Sequence, residues 1–220
     1  MRDKLFVLLG DVVASRKIRE KENFQKKLIS ACEKVNSDYL EDLYAELKIL
    51  KGKDEIGGVL LYMSNIFHII STIQSEIHPQ LMRFVLVFDH LDTALNTRDT
   101  AKMDGPAFYK ASEIMGDLKK SNLMFDMMVG DTVIDTAISN QINLILLLKK
   151  DWTQRQHQIV QDYEKTGNQY ETAKNLNITQ QSISKTLSRL MWSEIKIIEE
   201  KLNYIINNYA QKGEHRGDLK

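Results

Sequence analysis

The chain has 220 residues, 43% of them apolar and 27% charged, enough to bury one large core or two small ones. Thirty Lys and Arg balance thirty Asp and Glu, which excludes a uniformly basic protein but leaves room for a local basic face. The lone cysteine, Cys32, excludes an internal disulfide framework and a cysteine zinc cluster.

Lys4 to Gly10 is a short apolar run closing on Gly10-Asp11, as a buried strand does. Too few apolar residues follow Met1-Arg2-Asp3-Lys4 for a secretory signal, and no run reaches the roughly 18 apolar residues of a membrane span, so a cytoplasmic protein is expected. From Glu20 to Val35, Phe24, Leu28, Ile29, Cys32 and Val35 recur at helical spacing. Ala45 to Leu50 and Ile56 to Tyr62 flank the turn Lys51-Gly52-Lys53-Asp54 and read as a hairpin. Ile66 to Ile77 is again helical and stops at His78-Pro79; Met82 to Phe88 is another strand. The order β-α-β-β-α-β builds a small sheet with helices on one face, the ferredoxin-like or palm arrangement. Two further helices are expected, Gly105 to Lys119 and Thr132 to Lys149.

From Asp151 the texture changes to helices with no strand signal. Thr153 to Gln156 fits a capping box. The fold class expected is α+β, with a palm-like domain over 1–149, an all-α domain over 150–212 and a frayed tail over 213–220.

The strongest local signal runs from Gln169 to Leu187. Ala173 supplies the small residue that two steeply crossing helices need, and Asn177 tolerates a left-handed turn. Leu176, Ile178, Ile183 and Leu187 take the apolar positions, and Thr179 caps the second helix. That helix offers Gln180, Gln181, Ser182, Ser184, Lys185, Ser188 and Arg189, with no acid from Thr179 to Met191. Amides and cations of this kind read base edges and phosphates, so the expected partner is double-stranded DNA. An ordinary helical hairpin with a polar face is the plainer alternative. Ile195, Ile198, Leu202, Ile205 and Tyr209 then step by three and four, a seam for packing on the same domain or for a homodimer.

Two acidic groups stand in the first half: Asp11 at the end of the first strand, and Asp54 with Glu55 in the hairpin. In the expected topology these places lie side by side, where carboxylates can hold magnesium over a triphosphate; plain turns have the same composition. Ser15, Arg16, Lys53, Arg83 and Asp104 are the accompanying candidates for contacting a nucleotide. Asp104 is equally placed to cap the helix opened by Pro106. Arg83, Asp89 and Asp92 flank the fourth strand. The five histidines show neither metal spacing nor triad context, Cys32 reads as a buried helix residue, and neither a dinucleotide fingerprint nor a P-loop occurs.

Together these motifs resemble the SatD family of bacterial proteins. The family's Gly-Asp-Ile-Val-x-Ser-Arg looks like Gly10 to Arg16, and its Gly-Asp-Glu-Phe-Gln-Gly box looks like Lys53 to Gly58, departing at Lys53, Ile56 and Gly57. Its Met-Asp-Gly-Pro-Ala-Phe segment matches Met103 to Phe108, and Trp152-Thr153-x-Arg155-Gln156 also fits. The N-terminal half is distantly similar to class III nucleotidyl cyclases, a resemblance that implies metal-binding aspartates at Asp11 and Asp54. The base-selecting lysine and transition-state residues of active cyclases have no match here. The first expectation is thus a DNA-binding regulator whose cyclase-like domain binds a nucleotide. A magnesium-dependent nucleotidyl transferase is the second, and a protein-binding adaptor the third.

Overall fold

The opening apolar run forms β1 (Lys4–Val12) in the computed structural model, which describes residues 4–50, 52 and 54–217. Its neighbours are β3 (Glu55–Leu60) and β4 (Met82–His90), both antiparallel to it. β2 (Leu43–Ile49) closes the hairpin onto β3, and β5 (Phe125–Met128) runs parallel to β4, giving the order β2-β3-β1-β4-β5. This mixed five-stranded sheet, with eight α-helices among the described residues, is an α+β chain as expected.

Helices cover both faces of the sheet, a correction to the expected single layer. Successive strand residues face opposite ways, and β1 is apolar in both registers. Leu8 and Val12 join α1 (Lys21–Asp38), α2 (Ile66–Ile77) and α4 (Thr132–Lys149) in one cluster; Leu5, Val7 and Leu9 need separate cover and receive it from α3 (Pro106–Leu118). On α1 the buried stripe is Phe24, Leu28, Ala31, Cys32 and Val35. Ile29, expected in that stripe, lies about 100° around the helix from Leu28 and is 41% exposed.

Close approach fixes the composition of β3. A Cβ on Gly58 would sit 2.5 Å from Cδ1 and 2.7 Å from Cγ of Leu47, a side chain with no room to move. Gly58→Ala is therefore expected to cost about 1–3 kcal/mol, read as a lower urea midpoint; an unchanged midpoint would show that Leu47 has a second place to go.

The remaining chain is helical: α5 (Gln154–Thr166), α6 (Gln169–Leu176), α7 (Gln180–Arg189) and α8 (Trp192–Gly217). The capping box is present in both directions, Thr153 accepting from the Gln156 amide and Gln156 from the Thr153 amide. Ile195, Leu202 and Ile206 of α8 are fully buried, and Ile198, Ile205 and Tyr209 pack beside them, in the same apolar cluster as Ile138, Ile142 and Ile145 of α4. That seam is occupied within the single chain, so a dimer through α8 would have to use its outer side, where Ile197 and Tyr204 are exposed. Of the tail expected to fray, 213–217 continue α8, and 218–220 lie outside the described residues. One apolar cluster runs from Leu8 through Trp152 to Ile206, straight across the boundary placed near Lys149.

Candidate functional site

The helical pair α6–α7 is built as its sequence requires. Asn177 takes the left-handed conformation (φ 53°, ψ 48°) that ends α6, and Ala173 is buried where the helices meet. The Thr179 hydroxyl accepts from the Ser182 amide, satisfying one free donor of α7. Ile183 and Leu187 anchor α7 against α5, α6 and α8. The opposite side carries Gln181, Ser182, Lys185, Ser188 and Arg189, all exposed, with Thr179 exposed at the N-terminus. Gln180 and Ser184 are only half-exposed; Gln180 donates to Gln169 Oε1 at 2.6 Å, and Ser184 lines a hollow beside Tyr163 and Trp192. Six of the eight residues read as DNA-facing thus share one open surface, and two turn inward.

The N-terminal candidates divide into two groups. In register across the sheet stand Glu55 on β3, Asp11 on β1 and Arg83 on β4, a row that strand alternation puts on the α3 face with Leu9 and Val85. Lys119, just past α3, ion-pairs with Asp11 at 2.6 Å. Arg83 Nε is buried without a hydrogen-bond partner, an expensive omission for a cation. Glu55 also lines a cleft of about 420 Å³ with Lys102, Met103, Asp104, Phe108 and Tyr109, which brings the Met-Asp-Gly-Pro-Ala-Phe segment to the second acidic group. Asp104 does not cap α3 at its N-cap, which is Gly105; its carboxylate accepts from the Gly105 amide at 2.9 Å and the Tyr109 hydroxyl at 2.7 Å. Hydrogen bonding to that carboxylate raises the Tyr109 phenol above its ordinary pKa.

Asp54 belongs to the other group. Its carboxylate accepts from Ser15 Oγ at 2.6 Å and lines a shallow hollow of about 220 Å³ with Ser15, Arg16, Ile18, Lys21 and Phe24. Lys53 lies outside the described residues. Asp89 is taken by Lys110 at 2.5 Å, which holds its carboxyl below the usual range. As placed, Asp11 is paired with a lysine and Asp54 accepts from a serine, and among the described residues no group of three His, Cys, Asp or Glu stands together.

Two groups of residues escaped the sequence reading. Lys119 is one, being paired to Asp11 by the fold alone. The other is a set of histidines judged singly that the fold assembles. His78, after α2, and His157, on α5, stack with ring centroids 4.3 Å apart, and His78 Nε2 lies 3.0 Å from the Trp152 carbonyl oxygen. His68 joins them in lining a cavity between α2, α4, α5 and α8. Burial first, then the His78 ring and the Lys149 ammonium, push the His157 imidazole down to about 4, against weaker support from Gln161 and Glu164. An unfolded histidine titrates near 6.5. Between the two values the unfolded chain binds a proton that the folded chain refuses, so this stability is complete above pH ~6.5 and is lost as pH falls towards 4. Part of the ring meets water, so the loss is on the order of 1–2 kcal/mol. Thermal melts from pH 7 to 4.5 should show a decline that His157→Gln flattens; parallel profiles would mean that another group sets it.

No helix among the described residues is long and apolar enough to cross a membrane. The SatD family model matches residues 5–205. No curated protein matches the chain.

Proposed function

The chain belongs to the SatD family, and from that premise we propose that it is a DNA-binding regulator that reads duplex DNA with α7. The observation that carries this reading is the open stripe Gln181, Lys185, Ser188 and Arg189. These residues lie at helical spacing on the side opposite the buried Ile183 and Leu187. The helix is anchored from behind, its exposed side bears two cations and no carboxylate, and its amides and hydroxyls match base edges and phosphates. The turn at Asn177 and the cap at Thr179 support assigning α6–α7 as a helix-turn-helix. Fluorescence anisotropy of a labelled duplex at low salt tests the proposal; the absence of any binding there sinks it.

The sheet half is proposed to derive from the ferredoxin-like palm of nucleotidyl cyclases. Support comes from the order β2-β3-β1-β4 with every pair antiparallel, the arrangement a β-α-β-β-α-β unit produces. A nucleotide-binding role for this half is favoured by the unpartnered Arg83 Nε, which can take an acceptor from an anionic ligand. Catalysis with magnesium would require Asp11 to leave Lys119 and converge with Asp54. Incubation with each labelled triphosphate and Mg²⁺ or Mn²⁺ tests that route: turnover lost in Asp11→Asn would replace the regulator reading with an enzyme.

A further inference from the structure

The cavity holding the three histidines has about 260 Å³, below the roughly 300–1,000 Å³ of sites for drug-sized ligands. Its scale suits a molecule of one ring system. Two walls come from α2 and α4 of the sheet half and two from α5 and α8 of the helical half. The lining is mostly apolar and aromatic, including Phe67, Leu146, Trp152 and Val160. Against it stand the His78–His157 stack and, on α2, the hydroxyls of Ser71 and Thr72, which make no hydrogen bond among the described residues.

Charge decides what kind of molecule fits. Lys149 is paired with the buried Glu199, and Lys196 bridges Glu199 at 3.1 Å and Glu164 at 2.7 Å. Each of these two ammonium groups is already neutralised, and a phosphate brought close to them would meet the Glu164 carboxylate from α5 and the Glu199 carboxylate from α8. The Lys149 ammonium lies 5.5 Å from the centre of the Trp152 ring, on the face of the indole. Lys150, the third lining lysine, is exposed and stands at the solvent side of the cavity. Flat aromatic surfaces, spare hydroxyls and inner ammonium groups already paired with carboxylates select an uncharged, planar, hydrogen-bonding guest.

We propose that this cavity is a binding site for an uncharged planar nitrogen heterocycle of nucleobase size, held between Trp152, the His78–His157 pair and the α2 hydroxyls. The site is separate from the α3-face cleft and from α7, so it stands whether or not the chain binds DNA. Occupancy ties the helices of the two halves together, since each supplies two walls. A ligand bound only by the folded chain raises its melting temperature.

The test uses the full chain and a panel of adenine, guanine, uracil, nicotinamide and pterin, with adenosine and adenosine monophosphate as charge controls. The chain has two tryptophans, so Trp192→Phe leaves Trp152 as the sole indole reporter; if that variant does not fold, the melting temperature of the unaltered chain supplies the readout. The expected result is a saturable change in Trp152 emission and a rise in melting temperature with at least one base. Thr72→Met, which fills the space, should abolish both while leaving the unliganded fold intact. Adenosine monophosphate should bind at least tenfold more weakly than adenosine. No saturation by any panel member at millimolar concentration overturns the proposal, as does equal binding by Thr72→Met or by the monophosphate.

Discussion

Replacing Lys185 and Arg189 together by alanine should weaken duplex binding by roughly 30- to 1,000-fold, the equivalent of ~2–4 kcal/mol for two groups that each contact a base or a phosphate. Both side chains are exposed, so the melting temperature should hardly change. The loss has a second signature. Each phosphate contact contributes about one to the slope of log affinity against log salt, so the double variant should bind with a slope shallower by up to about 2. Lys201→Ala on α8, also exposed, provides the control for net charge. If it weakens binding as much as the α7 pair does, association is diffuse and α7 is not the reading helix.

Asn143→Leu is expected to produce the largest loss of stability, about 3–5 kcal/mol. Asn143 is 3% exposed, and both ends of its amide are used. Oδ1 accepts from the Met124 and Phe125 amides at 2.7 and 3.0 Å; Nδ2 donates to the Phe125 and Ser139 carbonyls at 2.7 and 2.8 Å. Leucine matches it in size but strands two buried backbone donors, each costing about 1–3 kcal/mol, and releases β5 from α4. For a chain of this length the melting point should drop by about 10 °C. A loss under about 1 kcal/mol would mean that those amides find other partners.

The same residue shows where sequence reading stops. The strongly patterned elements were legible: the burial of β1 on Leu5 to Leu9, the hairpin around Gly52, α2 ending at Ile77, and the capping box at Thr153 all follow from local spacing and turn chemistry. β5 was not, because four residues, Phe125 to Met128, carry no period of their own; β4 and the Asn143 side chain make them a strand. On the α7 surface, spacing separated Ile183 and Leu187 from the polar side, but only packing could reveal that Gln180 is held by Gln169. In the acidic row, sequence placed Asp11, Glu55 and Arg83 near one another. It could not turn Asp54 towards Ser15 or bring Lys119 to Asp11, since both depend on how loops and helices close over the sheet. The histidines were invisible for the same reason: His78 and His157 are 79 positions apart and meet only when α5 docks.

The uninterrupted cluster from Leu8 through Trp152 to Ile206 has a consequence for how this chain can be divided. Cutting it after Lys149 would leave Ile145 and Leu146 on one fragment, and Trp152, Ile159 and Leu202 on the other, facing water without their partners. Neither piece is expected to fold by itself, and the intact molecule should melt in one cooperative step. The helical half should therefore not behave as a detachable cassette: recombination between relatives would have to exchange both halves together or rebuild the junction.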